Sequence, residues 1–339
     1  MNTPNPHNPQ IRQYSQFKWA VIVPIMMCLA VMAFFASNTA SPALAAGRPP
    51  TATPAPAATA TPSGGGGGTW TQTWSDEFSG AAGTGVSSTN WIYDLGHGYG
   101  CSGCPNNWGT GEIEEMTNST ANVYQDGAGH LAIKPIRAGS PGSYTWTSGR
   151  IETQRTDFQP AAGGAVAFEA RIALPNVTGT AAQGYWPAFW ALGAPFRGNY
   201  LNWPSVGEID VMENINGKNT VWQTLHCGTS PGGVCNETTG LGNGGVSGWS
   251  PILQGNYHVY RMEFDKATSP QQIRGYVDGT LTWTVNANQV DSTTWNNATN
   301  HGFFIILNVA IGGGWPGNPT NQTASGVPMY VDYVRVYNR

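Results

Sequence analysis

Three carboxylates stand within six residues in the run Gly207-Glu208-Ile209-Asp210-Val211-Met212-Glu213, among large apolar side chains. Such a pattern reads as a β-strand with one face buried. Glu208 and Asp210, two apart, then point to the same side. Glu213, five from Glu208, would point to the other side of a regular strand. One extra residue at Val211-Met212 restores the parity, and that is a β-bulge, a device found beside active sites. With it, all three carboxyls share one face. Three crowded carboxyls cannot all ionise cheaply, because like charges raise at least one pKa. One ionised carboxylate beside one protonated acid is what glycoside hydrolysis needs. A calcium site also uses several acids, and a solvated acidic strand face is the plainest alternative. Trp190, Trp203 and Trp222 flank the segment. Aromatic faces stack on sugar rings rather than serve a metal, so attack on a sugar polymer is the favoured reading.

The rest of the chain suits a neutral, ring-shaped ligand. Charged residues make up 10% of the 339, against about 25% in an average soluble domain. Residues 1–68 hold three basic residues (Arg12, Lys18, Arg48) and no acid, which leaves residues 69–339 a formal charge of −7. That argues against a nucleic-acid binder, which needs a basic stripe to neutralise phosphates. The 45 glycines follow no three-residue period, which excludes collagen. Thirteen of the 14 tryptophans lie beyond residue 69, enough large rings to form a core.

The carboxylates must be carried by a β-domain. Short alternating runs broken by Gly, Asn, Pro and Asp begin at Trp70. They include 130–136, 165–174, 220–226, 258–264, 272–277, 303–309 and 329–337, each expected to be a strand. Asp278-Gly279 between apolar flanks predicts a hairpin. No long stretch has helical periodicity and no repeat is evident, so one two-sheet antiparallel sandwich over 69–339 is expected. Ahead of it, residues 19–36 are apolar and uncharged, and Ala43-Leu44-Ala45 offers a small-x-small cleavage site. Residues 1–46 therefore read as an export signal, or as an uncleaved anchor. Residues 47–68, rich in Pro and Thr and ending in Gly64–Gly68, read as a linker. Outside the cytoplasm, Cys101 with Cys104 and Cys227 with Cys235 are the natural disulfide pairs, with zinc binding or a redox motif as competitors.

Glu-Ile-Asp-Val-Met-Glu resembles the signature of family 16 glycoside hydrolases in its bulged Glu-x-Asp-x-x-Glu form. Further stretches are similar to its laminarinase-like, endo-β-1,3-glucanase branch: Trp74-Ser-Asp-Glu-Phe78, Trp108-Gly-Thr-Gly-Glu112, Ser148-Gly-Arg-Ile-Glu152, Gly184-Tyr-Trp-Pro-Ala-Phe-Trp190, Leu307-Asn-Val-Ala-Ile-Gly-Gly-Gly-Trp-Pro316 and Val331-Asp-Tyr-Val-Arg-Val-Tyr337. The resemblance spans residues 70–338 and implies a β-jelly roll with a substrate cleft on its concave face. It implies a retaining endo-glycosidase with Glu208 as nucleophile, Glu213 as general acid/base and Asp210 tuning Glu208. The two glutamate carboxyls are then expected about 5–5.5 Å apart. Mixed-linkage glucan and galactan are the alternative substrates within the family. A non-catalytic β-glucan-binding protein or a calcium-stabilised adhesive module are the alternatives outside it.

By the same resemblance, Trp186 and Trp190 are sugar-stacking residues, and their even spacing lets both face the cleft. Trp203 is a second candidate platform, and Trp315 in its glycine loop is expected at the cleft. Trp70, Trp91 and Trp283 are expected in the core. Glu169 and Arg171 alternate within an apolar strand. Buried charges are costly unless paired, so a polar cleft face is expected for them, in line with the family's Glu-x-Arg pair. His226 ends the strand after the catalytic one and is expected beside Asp210 or Glu213. Asn308, an amide in an apolar strand, needs partners, and sugar hydroxyls or the catalytic carboxylates would serve. No cofactor is expected for catalysis. A structural calcium is implied at Glu77 and Gly129, through backbone oxygens, and at Asp332, through its carboxylate. The Cys227–Cys235 insertion is expected to shape one end of the cleft. The expected partner is a polysaccharide, with the protein secreted or tethered to the envelope and monomeric.

Overall fold

The computed structural model describes residues 68–339, so the export segment and nearly all of the linker lie outside the described residues. The described chain is a sandwich of two eight-stranded antiparallel sheets. One sheet runs in the order Leu241–Gly242, Thr220–His226, Glu208–Glu213, Tyr185–Gly193, Phe303–Ile311, Arg150–Thr153, Trp91–Tyr93, with Val246–Ser247 joined to Thr220–His226. The other runs Thr280–Asn286, Gln272–Val277, Tyr257–Asp265, Ala165–Ala173, Met329–Asn338, Leu131–Ile133, Val123–Gln125, with Thr71–Asp76 on Met329–Asn338. Alternation decides what each strand buries. Phe189 and Ala191, Ile209 and Val211, and Ile305, Leu307 and Val309 face Val166, Phe168, Ala170 and Ile172 in one continuous core.

The expected strands form. Thr220–His226 and Gln272–Val277 match their expected bounds, and the hairpin closes with Asp278 and Gly279 both at positive φ (49° and 76°), as its two-residue turn requires. One expectation fails. Residues 130–136 are not one strand but parts of two, Leu131–Ile133 in a large sheet and Ile136–Ala138 in a separate three-stranded sheet. Pro135 stands at the break, where its missing N–H interrupts a ladder. The single α-helix among the described residues, Ser292–Thr299, is capped by the Asp291 carboxylate, which accepts from the Thr293 and Thr294 amides.

The sheet without the carboxylate cluster carries a buried charge network on its outward face. Arg261 bridges Glu169 and Glu263 (both 3.0 Å), and Arg274 bridges Glu263 (3.1 Å) and Asp265 (2.8 Å). Trp70 lies over Arg261 and Arg339, with ring centroids 4.7 and 4.6 Å away. It is therefore a lid on this network and not a core residue, whereas Trp91 and Trp283 are in the core as expected. Removing one member of a buried pair strands the others' charge. Arg274→Met is expected to lower unfolding stability by about 3 kcal/mol, measured by urea titration, with polysaccharide affinity unchanged because this face is remote from the carboxylates.

Candidate active site

The strand Glu208–Glu213 has the bulge that its spacing demands. Against Thr220–His226, Asp210 pairs with Thr224 and Glu213 with Trp222, so Val211 and Met212 together oppose Gln223. On the other edge, Asp210 pairs with Trp190 and Met212 with Phe189. The bulge lets both Val211 and Met212 enter the core. It also diverts the Val211 carbonyl, which accepts from Gln223 Nε2 at 3.0 Å. Room for that amide exists because position 275 is glycine: a Cβ there would meet Gln223 Nε2 at 2.6 Å. The far sheet thus helps to hold the bulge that aims the carboxylates.

Each glutamate is held by an indole. Trp203 Nε1 donates to Glu208 Oε2 at 3.1 Å, and Trp186 Nε1 donates to Glu213 Oε1 at 2.9 Å. Trp186 and Trp190 face the same side, as their spacing predicts, and both stay half-buried. Trp315, 40% exposed, meets Trp186 and Trp222 edge to face at 5.5 and 5.1 Å. An open aromatic wall therefore stands beside Glu213. On the Glu208 side, the Trp203 ring lies 5.7 Å from that of His226.

Asn308 is buried in Phe303–Ile311, and its Oδ1 accepts from Trp190 Nε1 at 2.8 Å. The partner of this amide is thus an indole, and its observed bond fixes a candidate stacking surface. His226 reaches the cluster as expected. Its Nε2 lies 3.3 Å from Asp210 Oδ2, within ion-pair range but off the line of a hydrogen bond.

Burial dominates the protonation of both glutamates. It pushes the Glu208 carboxyl up to about 8, with the Asp210 charge adding to the effect and the His226 and Arg150 charges opposing it. Glu213 is raised well above the ordinary range by burial and then by Asp210, opposed by the Trp186 N–H and by His226. Arg150 is thus a cation placed for Glu208. The site can hold one glutamate ionised and the other protonated.

Two expected site residues are elsewhere. Glu169 and Arg171 lie on Ala165–Ala173, in the sheet opposite the carboxylates, and both face outward. Glu169 belongs to the Arg261 network, and Arg171 pairs with Asp332 at 2.6 Å. The reasoning that alternating charges mark a cleft strand holds instead for Arg150, a residue the sequence reading passed over. Arg150 lies under Trp190 and Trp108, with ring centroids at 4.8 and 4.5 Å, and donates to Asp94 (2.9 Å) and to the Tyr99 hydroxyl (2.8 Å). Glu237 was also missed. Its sequence signal is that it is the sole acid between Glu213 and Glu263.

The implied calcium ligands fit that ion poorly. The Asp332 carboxylate, the single side-chain ligand implied, is engaged by Arg171 at 2.6 Å. Calcium takes about 6–8 oxygens, and the only carboxylate in this set is already neutralised by a guanidinium. Both disulfides pair as expected, Cys101 with Cys104 and Cys227 with Cys235.

Residues 176–243, which contain the bulged strand, match the family model for the XgeA-like catalytic domain of glycoside hydrolase family 16. A beta-glucanase of Rhodothermus marinus is 32% identical over 289 residues, covering 79% of this chain and 85% of the relative. The chain belongs to glycoside hydrolase family 16. Among solved structures, an endo-1,3-beta-glucanase from Streptomyces sioyaensis superposes with a TM-score of 0.76 at 57% identity, covering 79% of this chain and 96% of that one. An endo-beta-1,3-glucanase from Pyrococcus furiosus gives 0.63 at 34% identity, covering 79% and 94%. The sandwich is accordingly the family's jelly roll. Three other curated relatives are longer, and this chain spans 34% to 54% of their length.

Proposed function

We propose that this family 16 chain is an endo-acting glycosidase that hydrolyses β-1,3-glucan with retention of anomeric configuration. The observation that carries the reading is the bulge at Val211-Met212, which turns Glu208, Asp210 and Glu213 to one face with an indole N–H on each glutamate. Glu208 attacks the anomeric carbon while Glu213 gives its proton to the glycosidic oxygen. The bond to the leaving sugar breaks as the bond to Glu208 forms. Glu213, now a carboxylate, takes a proton from water, and that water releases the sugar from Glu208. Arg150 and His226 favour the anion on Glu208, and burial keeps the proton on Glu213.

Trp186, Trp190, Trp203 and Trp315 offer faces and edges to uncharged glucose rings, which suits a cleft with few charges. The bulged form of the motif and the endo-1,3-glucanase names of the similar structures support β-1,3 linkages. Two disulfides suit an oxidising compartment, and the proposed location is extracellular, with the N-terminal segment as signal or tether. The test is a product profile on laminarin, lichenan, agarose and xyloglucan, with the anomeric proton of the first product followed by NMR. The expected result is oligosaccharides from laminarin, released first as the β-anomer. Initial release of the α-anomer, or cleavage of agarose alone, overturns the reading.

A further inference from the structure

The Cys227–Cys235 disulfide closes a short loop immediately ahead of Glu237. Two residues past Cys235, the fully buried Glu237 side chain lies against the back of His226. One Glu237 oxygen lies 2.7 Å from His226 Nδ1, and the other accepts from the Cys227 amide at 2.8 Å. The Glu237 backbone is fixed as well, since it exchanges both its N–H and its C=O with Gly232 at 2.6 Å. On the far side of the ring, Nε2 faces Asp210 Oδ2 at 3.3 Å. A carboxylate only accepts hydrogen bonds. An imidazole with a carboxyl oxygen facing each nitrogen has an acceptor for both of its protons, the arrangement that suits a cation.

The inference rests on the proposed glycosidase reading. We propose that Glu237 is a positioning residue of the reaction: from outside the cleft it holds His226 as an imidazolium, and that charge lets the Glu208–Asp210–Glu213 cluster keep its working protonation. The groups facing His226 are Asp210, Glu208 and Glu213 from the neighbouring strand, Glu237 from just past the disulfide loop, and the neutral ring of Trp203. Arg150 acts on the cluster from the Glu208 side. Among these acids only Glu237 meets Nδ1, and no role in touching the sugar is assigned to it. Its side-chain hydrogen bonds go to His226 and the Cys227 amide, not to the catalytic carboxylates. A neutral His226 would leave Asp210 uncompensated and make ionisation of Glu208 harder.

The direction of each effect follows from charge. Glu237→Gln keeps an acceptor for Nδ1 but removes the anion, so His226 loses its proton at lower pH and the alkaline limb of kcat/KM moves down. At Glu208 the two effects oppose each other, because the Glu237 charge itself raises that carboxyl while the His226 cation lowers it, so the acid limb stays near its wild-type place. The alkaline limb is expected to move down by about one pH unit, with KM for laminarin unchanged within about twofold. Glu237→Asp is expected to restore part of the profile. A profile of wild-type width in a folded Glu237→Gln variant overturns the proposal.

A second measurement needs neither the variant nor turnover. In the wild-type protein at pH 7, nitrogen NMR of His226 is expected to show both ring nitrogens protonated. A neutral tautomer overturns the proposal even if the variant fails to fold. Absence of hydrolysis on every glucan, with the imidazolium present, would instead count against the glycosidase reading.

Discussion

Replacing Glu208 by alanine is expected to abolish laminarin hydrolysis while leaving the protein folded and able to bind the polysaccharide. The loss should reach on the order of 10⁴-fold in kcat or more, the scale seen when a nucleophile is removed. Binding survives because the aromatic surfaces are built by other residues. Trp186 and Trp315 pack against each other, and Trp190 is held by Asn308 and Arg150. Unchanged turnover would falsify the assignment of Glu208.

The same position links chemistry to stability. Burial raises the Glu208 carboxyl from an ordinary 4.5 to about 8. A carboxyl raised on folding binds more protons in the folded state between those two values. Stability is therefore greatest below the unfolded value and falls as pH rises towards 8. Glu208→Gln carries no such charge. It is expected to melt at a higher temperature than wild type at pH 7, with the gain shrinking towards pH 4. A thermal melt series across pH measures this, and a gain independent of pH would contradict it.

The second large effect belongs to Glu213. Glu213→Ala is expected to lower kcat on laminarin by about 10²–10⁴-fold, the usual worth of a general acid. A substrate whose leaving group needs no proton, such as a dinitrophenyl glycoside of a laminari-oligosaccharide, should still form the glycosyl-enzyme at close to the wild-type rate. Release of the sugar then slows, because Glu213 is also the base that activates water. A burst of dinitrophenol followed by slow turnover is the expected trace. Equal loss on both substrates would show that Glu213 does not supply the proton.

Much of the site was legible in the sequence because its logic is local. The side-chain period of a strand is two, so the spacing of Glu208, Asp210 and Glu213 demands a bulge. The register confirms it between Asp210 and Glu213. The disulfides join cysteines three and eight residues apart, so short loops determine them. Glu169 and Arg171 show the limit of such reasoning. Their pattern, charges alternating in an apolar strand, is the same as that of Arg150 and Glu152. Periodicity separates the two faces of a strand, but it does not say which sheet the strand joins.

Sheet membership is decided by long-range pairing. Ala165–Ala173 pairs with Tyr257–Asp265 and Met329–Asn338, whereas Arg150–Thr153 pairs with Phe303–Ile311 and Trp91–Tyr93 beside the carboxylates. Hence one charged pair is bound into an outward network, and Arg150 of the other lies beneath the tryptophans of the cleft. The same holds for Asn308, whose need for a partner was evident but whose partner, Trp190, lies more than a hundred residues away. Glu237 is the clearest case: its isolation among acids is its one sequence signal, and only the folded chain turns it onto His226. By itself, the sequence determined the carboxylate triad and its shared face, because covalent spacing and strand period suffice for both. Tertiary structure alone decided which cations and indoles meet that triad, because those contacts depend on where distant strands pair.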